Sequence, residues 1–368
     1  MQQKETVSPK KRGRGIKKII LGAIGFLVIL IIVFLLKSAP VAPAAYSPLK
    51  SPELVGVLEA NDLLQKAELL ALGKTNGPEE VALDSHGNIY WGTQDGKIMS
   101  LKADGKLDTF AVTKGRPLGM QFNANKNLIV CDAYKGLLSI DPQGKIKVLT
   151  TSAEGVPLKL TDALDISQDG IIYFTDASSK YGQSEYLYDL LEAKPHGRFL
   201  SYDPDTGEVK VLLTDLYFAN GVALSQQEDF VLINETYRYR IVRYWLKGPK
   251  KGTREIFIDN LAGFPDNISS NDKGTFWLAL FTVRNEAMDK LHPSPFLKAQ
   301  MSKLPKVLWP KPEPYGLVLA LNEEGEIIQS LHDPTGKYLK EITSAREYGG
   351  YLYLGSLHND RIGKYKLP

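Results

Sequence analysis

A short hairpin recurs along this chain, and the recurrence leaves few folds open. Gly87-Asn88-Ile89-Tyr90, Gly170-Ile171-Ile172-Tyr173, Gly274-Thr275-Phe276-Trp277 and Gly350-Tyr351-Leu352-Tyr353 each turn at glycine and enter a run of β-branched or aromatic residues. Lys126-Asn127-Leu128-Ile129 and Glu228-Asp229-Phe230-Val231 repeat the pattern more loosely, which makes six hairpins. An alternating apolar run precedes each turn, as expected of a strand with one buried face. Further strands follow, as in residues 97–101, 136–140, 199–202 and 241–246, set apart by turns such as Asp104-Gly105 and Asp141-Pro142. About four strands per unit in six units describes an all-β, six-bladed β-propeller. A sandwich is the alternative, and the constant register between units argues against it. Residues 68–72 are expected to supply the outer strand of the last blade and so close the ring.

Two units carry insertions. Residues 184–194 read as a short helix with Leu187, Leu190 and Leu191 on one side. Residues 285–311 are longer, with Met288, Leu291, Phe296, Leu297, Met301, Leu304 and Val307 broken by prolines. Amphipathic helices of this kind cap a hydrophobic patch, act as a lid or dip into a bilayer. The single cysteine, Cys131, excludes an internal disulfide and sits in a strand-like run as a small hydrophobe.

Ahead of the repeats, residues 19–36 are uncharged and almost wholly apolar, just long enough to cross a bilayer core of about 30 Å. Eight lysines and arginines stand against Glu5 alone within residues 1–37; the whole chain carries +3, so the remainder carries −4. The basic flank predicts a cytoplasmic tail over residues 1–18, a single-pass anchor over 19–36, a Pro/Ala-rich stiff linker within 37–64 and an extracytoplasmic propeller over 65–368. A cleaved signal peptide is the rival reading, and the apolar run exceeds the usual 7–15 residues of a signal core. The mildly acidic body gives no electrostatic reason to expect nucleic acid as a partner.

Counting back eight residues from the turn reaches Glu79, Asp162, Asn220 and Asp266 in four of the units. Apolar Val81, Leu164, Val222 and Ile268 follow two residues later, so the four polar residues share a strand face otherwise built for burial. The first strand of a blade lines the central tunnel, and equal register places these side chains in one ring at its mouth. Carboxylates and amides so gathered repel or stay unsatisfied without a cation. An oxygen-only set selects a hard ion, and Ca²⁺ tolerates an irregular cage better than Mg²⁺. Asn267 and Glu80, adjacent in sequence, stand to add oxygens. Leu118 and Ile342 break the ring in blades two and six. Asp132 and Asp176, six residues past their turns, fall near the rim and are the candidate bases or water-orienting groups; solvated turn residues are their other reading. Of the five histidines, His196 and His358 are placed to reach the mouth.

The segments Gly115-Arg116-Pro117-Leu118-Gly119, Tyr173-Phe174-Thr175-Asp176, Phe218-Ala219-Asn220-Gly221, Ser330-Leu331-His332-Asp333-Pro334 and Leu352-Tyr353-Leu354-Gly355-Ser356 resemble the strictosidine synthase-like family over about residues 65–368. The wider superfamily includes gluconolactonases and paraoxonases, six-bladed propellers with Ca²⁺ in the tunnel. The resemblance implies metal ligands at Glu79, Asn220, Asp266 and Asn267. A further ligand pair, Asn then Asp, falls on Thr161 and Asp162, so Asp162 is the donor left there. The paraoxonase-type histidine falls on Leu118, and the glutamate of true strictosidine synthase falls on Ile342 or Thr343. Glu341 is close to that position but is expected to point elsewhere. The resemblance thus implies a Ca²⁺-dependent hydrolase of a small ester or lactone, against a non-catalytic binding propeller and, less favoured, an amine–aldehyde condensing enzyme.

Overall fold

The computed structural model describes residues 13–368, so Lys4, Lys10, Lys11 and Arg12 of the expected basic tail lie outside it. Helix α1, Gly13–Leu36, spans about 36 Å at 1.5 Å per residue. Within it Lys17–Leu36 is long and apolar enough to cross a membrane, and none of that stretch is buried against the rest of the chain.

The body is the expected six-bladed β-propeller. Six four-stranded antiparallel sheets follow one another, with inner strands Val81–Leu83, Pro117–Phe122, Thr161–Ile166, Ala219–Leu224, Gly263–Ser270 and Ile342–Tyr348. The sandwich alternative falls with this order, because every sheet pairs only strands close in sequence except the last. That sheet takes its outer strand from Glu68–Leu70, which pairs with Ile362–Lys366 in the register Glu68 to Lys364 and Leu70 to Ile362. One blade built from both ends of the body locks the ring.

Apolar clusters fill the spaces between neighbouring sheets, where Trp91, Phe174, Phe199 and Phe276 are fully buried. Leu64, just before the closing strand, is fully buried with Ala67, Leu331, Leu339 and Leu352. Leu64→Ala is therefore expected to cost about 2–5 kcal/mol by leaving a cavity at the closure, read as a lower denaturant midpoint at unchanged slope. Cys131 is buried with its Sγ 3.4 Å from the Ala163 carbonyl oxygen, in keeping with a packing role.

Both insertions leave the same end of the propeller. Strands alternate in direction, so the connections between second and third strands emerge where the inner strands begin. Helix α2, Tyr186–Glu192, occupies that connection in blade three. Helices α3, Glu286–Leu291, and α4, Pro295–Ser302, occupy it in blade five. Asn285 and Ser294 cap these two by accepting from Met288 N and Leu297 N, and Pro295 opens α4 at its first turn.

The Pro/Ala-rich segment is not a free spacer. Ala44 N donates to Glu192 O, Tyr46 N to His292 O, and the Arg284 guanidinium to Leu49 O at 2.6 Å. Arg238 stacks on the Tyr46 ring at 3.9 Å, and Ser330 Oγ donates to Val57 O. An extended chain leaves its backbone groups unpaired; here the inserts and blades four and five pair many of them and strap the segment across the body.

Candidate metal centre

The inner strands do not enter the tunnel mouth regularly. Their pairing with the second strands slips between Pro117 and Met120, Thr161 and Leu164, Ala219 and Val222, Pro265 and Ile268, and Ile342 and Ser344. A bulge re-aims the side chains it carries. Leu118, Asp162, Asn220, Asp266 and Thr343 sit on these five bulges, and Glu79 lies just ahead of the blade-one inner strand. The glycines of the sequence motifs serve the same geometry. A Cβ on Gly119 would come within 2.7 Å of Ala163 Cα, and one on Gly221 within 2.6 Å of Asp266 O, so adjacent inner strands touch where only glycine fits.

Glu79, Asp162, Asn220 and Asp266 line one cavity of about 230 Å³ at this mouth. All four are at least nine-tenths buried. Glu79 Oε2, Asn220 Oδ1, Asp266 Oδ1 and Asn267 Oδ1 are buried without a hydrogen-bond partner. Asn267 Nδ2 lies 3.5 Å from Glu79 Oε1, which brings blade five across to blade one. Burial, then the charges of Asp266 and Asp162, push the Glu79 carboxyl well above its ordinary value; burial and Asp162 do the same to Asp266. Burial and then Asp176 push Asp162 up to about 7. Orphaned oxygens together with mutually opposed carboxyls fit a hard cation. Among the described residues no three His, Cys, Asp or Glu side chains form a ready-made cluster, so any cage here draws on the amide oxygens of Asn220 and Asn267.

Several expectations change. In blade six Thr343, not Ile342, holds the ring position: Ala345 pairs with Leu354 as Val222 does with Ile233, and Thr343 Oγ1 donates to Glu79 O at 2.7 Å. The hairpin there is one residue shorter, turning on Gly349 and Gly350 between Tyr348 and Tyr351, so a count of eight back from Gly350 oversteps the ring position by one. Glu80 turns away from the ring and accepts from Val81 N, with Arg346 Nε 3.8 Å off. Asp132 and Asp176 are fully buried, not solvated, and do not line the cavity. Asp132 Oδ1 accepts from Arg116 N, Tyr134 N and Lys135 N. Asp176 accepts from Lys159 N and Leu160 N and pairs with Arg198 at 2.6 Å. Both carboxylates tie the second strand to neighbouring backbone away from the cavity; Asp176 has both oxygens engaged, whereas Asp132 Oδ2 stays buried without a partner. Of the two histidines, His196 turns to Glu192 at 3.1 Å, away from the cavity. His358 does line the cavity, with Nδ1 2.6 Å from Glu341 Oε2. Glu341, expected to point elsewhere, is held at φ +50° by Glu341 N to Tyr315 O and by Leu357 N to its own carbonyl, and this aims its carboxylate at His358. Strain of that kind gathers at functional sites. The pair escaped the sequence reading because it joins a blade connection to a loop.

Above the polar floor the cavity is apolar, with Leu118, Phe218, Tyr237, Phe264 and Phe281 from the blades, Tyr186 and Leu187 from α2, and Met288 from α3.

Fold and site together define a six-bladed propeller whose tunnel mouth carries an acid–amide ring under an apolar bowl. The same fold is seen in a gluconolactonase from Xanthomonas campestris (17% identity, 90% of this chain and 99% of that one, TM-score 0.61). Regucalcin from Agrobacterium tumefaciens, described as a calcium-binding protein, shares it too (14%, 81% and 93%, 0.59). In sequence, residues 162–249 match the strictosidine synthase family and residues 56–101 the strictosidine synthase-like N-terminal family. The chain is 37% identical to rat (Rattus norvegicus) adipocyte plasma membrane-associated protein over 94% of its length and 98% of that protein. It is 38% identical to strictosidine synthase-like protein 6 of Arabidopsis thaliana over 81% of each. The chain belongs to the strictosidine synthase-like family.

Proposed function

We propose that the chain is a Ca²⁺-dependent hydrolase of an ester or lactone, working at the ringed mouth of the tunnel. The carrying observation is the set of buried, unpartnered oxygens on Glu79, Asn220, Asp266 and Asn267 at the floor of an apolar cavity. Those residues, with Asp162, would hold the ion, which when bound supplies a Lewis acid for the substrate carbonyl. The His–Glu pair supplies the base. With Nδ1 engaged by Glu341, Nε2 of His358 is the nitrogen left to accept a proton from water, and Glu341 stabilises the imidazolium that results. The apolar wall holds the non-reacting part of the substrate and excludes water. The lactonase and the calcium-binding protein noted above agree with this reading through fold alone; the residues carry the chemistry.

The competing role is a structural ion in a binding propeller, favoured by the way the ring ties blades one, four and five together. Hydrolysis of a phenyl-ester and lactone panel by the full chain, in Ca²⁺ and in chelator, separates the two. His358→Gln is expected to lower kcat by roughly 10²–10⁴ with KM and the Ca²⁺-induced rise in Tm preserved. A variant as active as the parent removes the base assignment, and a parent that cleaves nothing in Ca²⁺ leaves the binding role.

The basic flank before α1 supports a cytoplasmic N-terminus, with the propeller on the extracytoplasmic side.

A further inference from the structure

Helix α4 is inside out for a helix in water. Lys298 is fully buried, its Nζ donating to Ala44 O at 2.6 Å, while the neighbouring Phe296 is 61% exposed and Leu297 half-exposed. The chain beyond α4 continues the pattern: Leu304, Val307 (70%) and Leu308 are exposed, and the short helix Lys306–Leu308 presents the last two together. A protein that buries a lysine and exposes its aromatic and aliphatic neighbours is not facing water at that place.

What it faces is indicated by where α1 ends. Lys303 Nζ donates to the Phe34 and Leu35 carbonyl oxygens at 3.2 and 3.1 Å and lies 5.4 Å from the Phe34 ring centre. The last turn of the membrane-length helix is thus seated on the insert, at the level where its apolar stretch stops. Strapping of residues 44–57 to the body leaves a short run after Leu36, which keeps the two close. Lys303, Lys306 and Lys311 border the apolar residues as headgroup-level cations do. The other side of the same insert contributes Met288, Pro310, Lys311 and Pro312 to the wall of the ringed cavity.

We infer that the blade-five insert lies in the interface of the bilayer that α1 enters, so that the tunnel mouth opens onto the membrane and its ligand is a membrane-resident amphiphile. Resting on the hydrolase reading, the substrate class is a long-chain ester or lactone, with its chain in the apolar bowl and its carbonyl at the ring.

The test uses the full chain in phosphatidylcholine vesicles. Val307→Cys is labelled with a small environment-sensitive fluorophore; Cys131 is buried, and the parent chain reports any background labelling. Thr206→Cys, in the outer hairpin of blade three at the far end of the propeller, is the reference. Doxyl-labelled lipid is expected to quench the probe at 307 several-fold more than the probe at 206, with iodide showing the reverse order. A probe at 307 quenched by iodide and not by lipid places the insert in water and overturns the inference. A probe shielded from both means that a second copy or another surface covers it, and overturns it equally. In a second arm, the paired substitution Val307→Asp and Leu308→Asp is expected to cut hydrolysis of a long-chain ester in vesicles at least tenfold while sparing a short soluble ester. Equal loss on both substrates sinks the substrate class. Quenching at 307 without cleavage of any ester leaves the membrane contact standing and removes the hydrolase.

Discussion

Glu79→Gln is expected to make the protein more stable than the parent in chelator and less stable in Ca²⁺. The crossing follows from the ring. Glu79 is buried, and its leading opponents after burial itself are the carboxylates of Asp266 and Asp162. Without a cation the carboxylate at this point is opposed and Oε2 is unpartnered. The amide has the same shape, carries no charge and still offers an oxygen to Asn267 Nδ2. Removal of the repulsion is expected to stabilise by about 1–3 kcal/mol, the usual size of a relieved buried-polar penalty. Calcium reverses the order, because an ion that binds only the folded state stabilises by RT ln(1 + [L]/Kd), about 2.7 kcal/mol at a hundred times Kd. The parent receives that gain; the variant, short of a charged ligand, receives little. Thermal unfolding of both proteins at pH 8, in chelator and in millimolar Ca²⁺, gives four Tm values whose order decides the matter. If Ca²⁺ leaves the parent Tm unmoved, the ring is not a cation site. If Ca²⁺ raises both alike, the ion binds elsewhere.

Much of this arrangement was legible in the sequence because a propeller converts spacing into position. Eight residues from turn to mouth is a property of a strand, and Glu79, Asp162, Asn220 and Asp266 meet in one cavity for that reason. The count failed in blade six, where the tight turn at Gly349 and Gly350 shortens the hairpin by one residue and Thr343 takes the place expected of Ile342. Strand direction likewise brings Asp132 and Asp176 to the correct end of the fold but not to the tunnel. A residue at the close of a second strand faces the backbone of the incoming connection, and period-2 patterning says nothing about which hydrogen-bond donors wait there. His358 and Glu341 lie in connections without any period, so no count could join them. The strap was read as a stiff linker from its proline and alanine, correctly as to extension and silently as to contact: what Tyr46 or Ala44 touches is decided by inserts some 150 to 250 residues away. Local spacing predicts what repeats, and the chemistry that departs from the repeat has to be read from the fold.

That distinction gives the second large expectation. Asp176→Ala is predicted to unfold much of the protein under conditions where the parent is stable. Asp176 Oδ1 accepts from Lys159 N and Leu160 N at 2.9 and 2.8 Å, and Oδ2 takes the Arg198 guanidinium at 3.1 and 2.6 Å. Arg198 reaches on to Pro157 O, so one carboxylate pins the strand entering blade three at both of its walls. Burial pushes the Asp176 carboxyl above its ordinary value even though Arg198 and the two amides draw it down. The clamp is therefore desolvated, and loss of one member leaves the rest uncompensated. Removing one partner of such a pair costs about 3–5 kcal/mol, a large share of the 5–15 kcal/mol that holds a typical domain together. Asp132 makes the same contacts to Arg116, Tyr134 and Lys135 amides without an ion pair, so Asp132→Ala is expected to cost less, about 1–3 kcal/mol. Glu235, at the matching place in blade four, accepts from Tyr217 N at 2.8 Å and pairs with Arg240, and its loss should resemble that of Asp176. Denaturant titration of the three alanine variants measures this order. Turnover per folded molecule, taken on Asp132→Ala because it stays largely folded, separates a clamp from a base: a clamp leaves it near the parent value, whereas a fall of a hundredfold or more without unfolding would return Asp132 to the chemistry and displace His358.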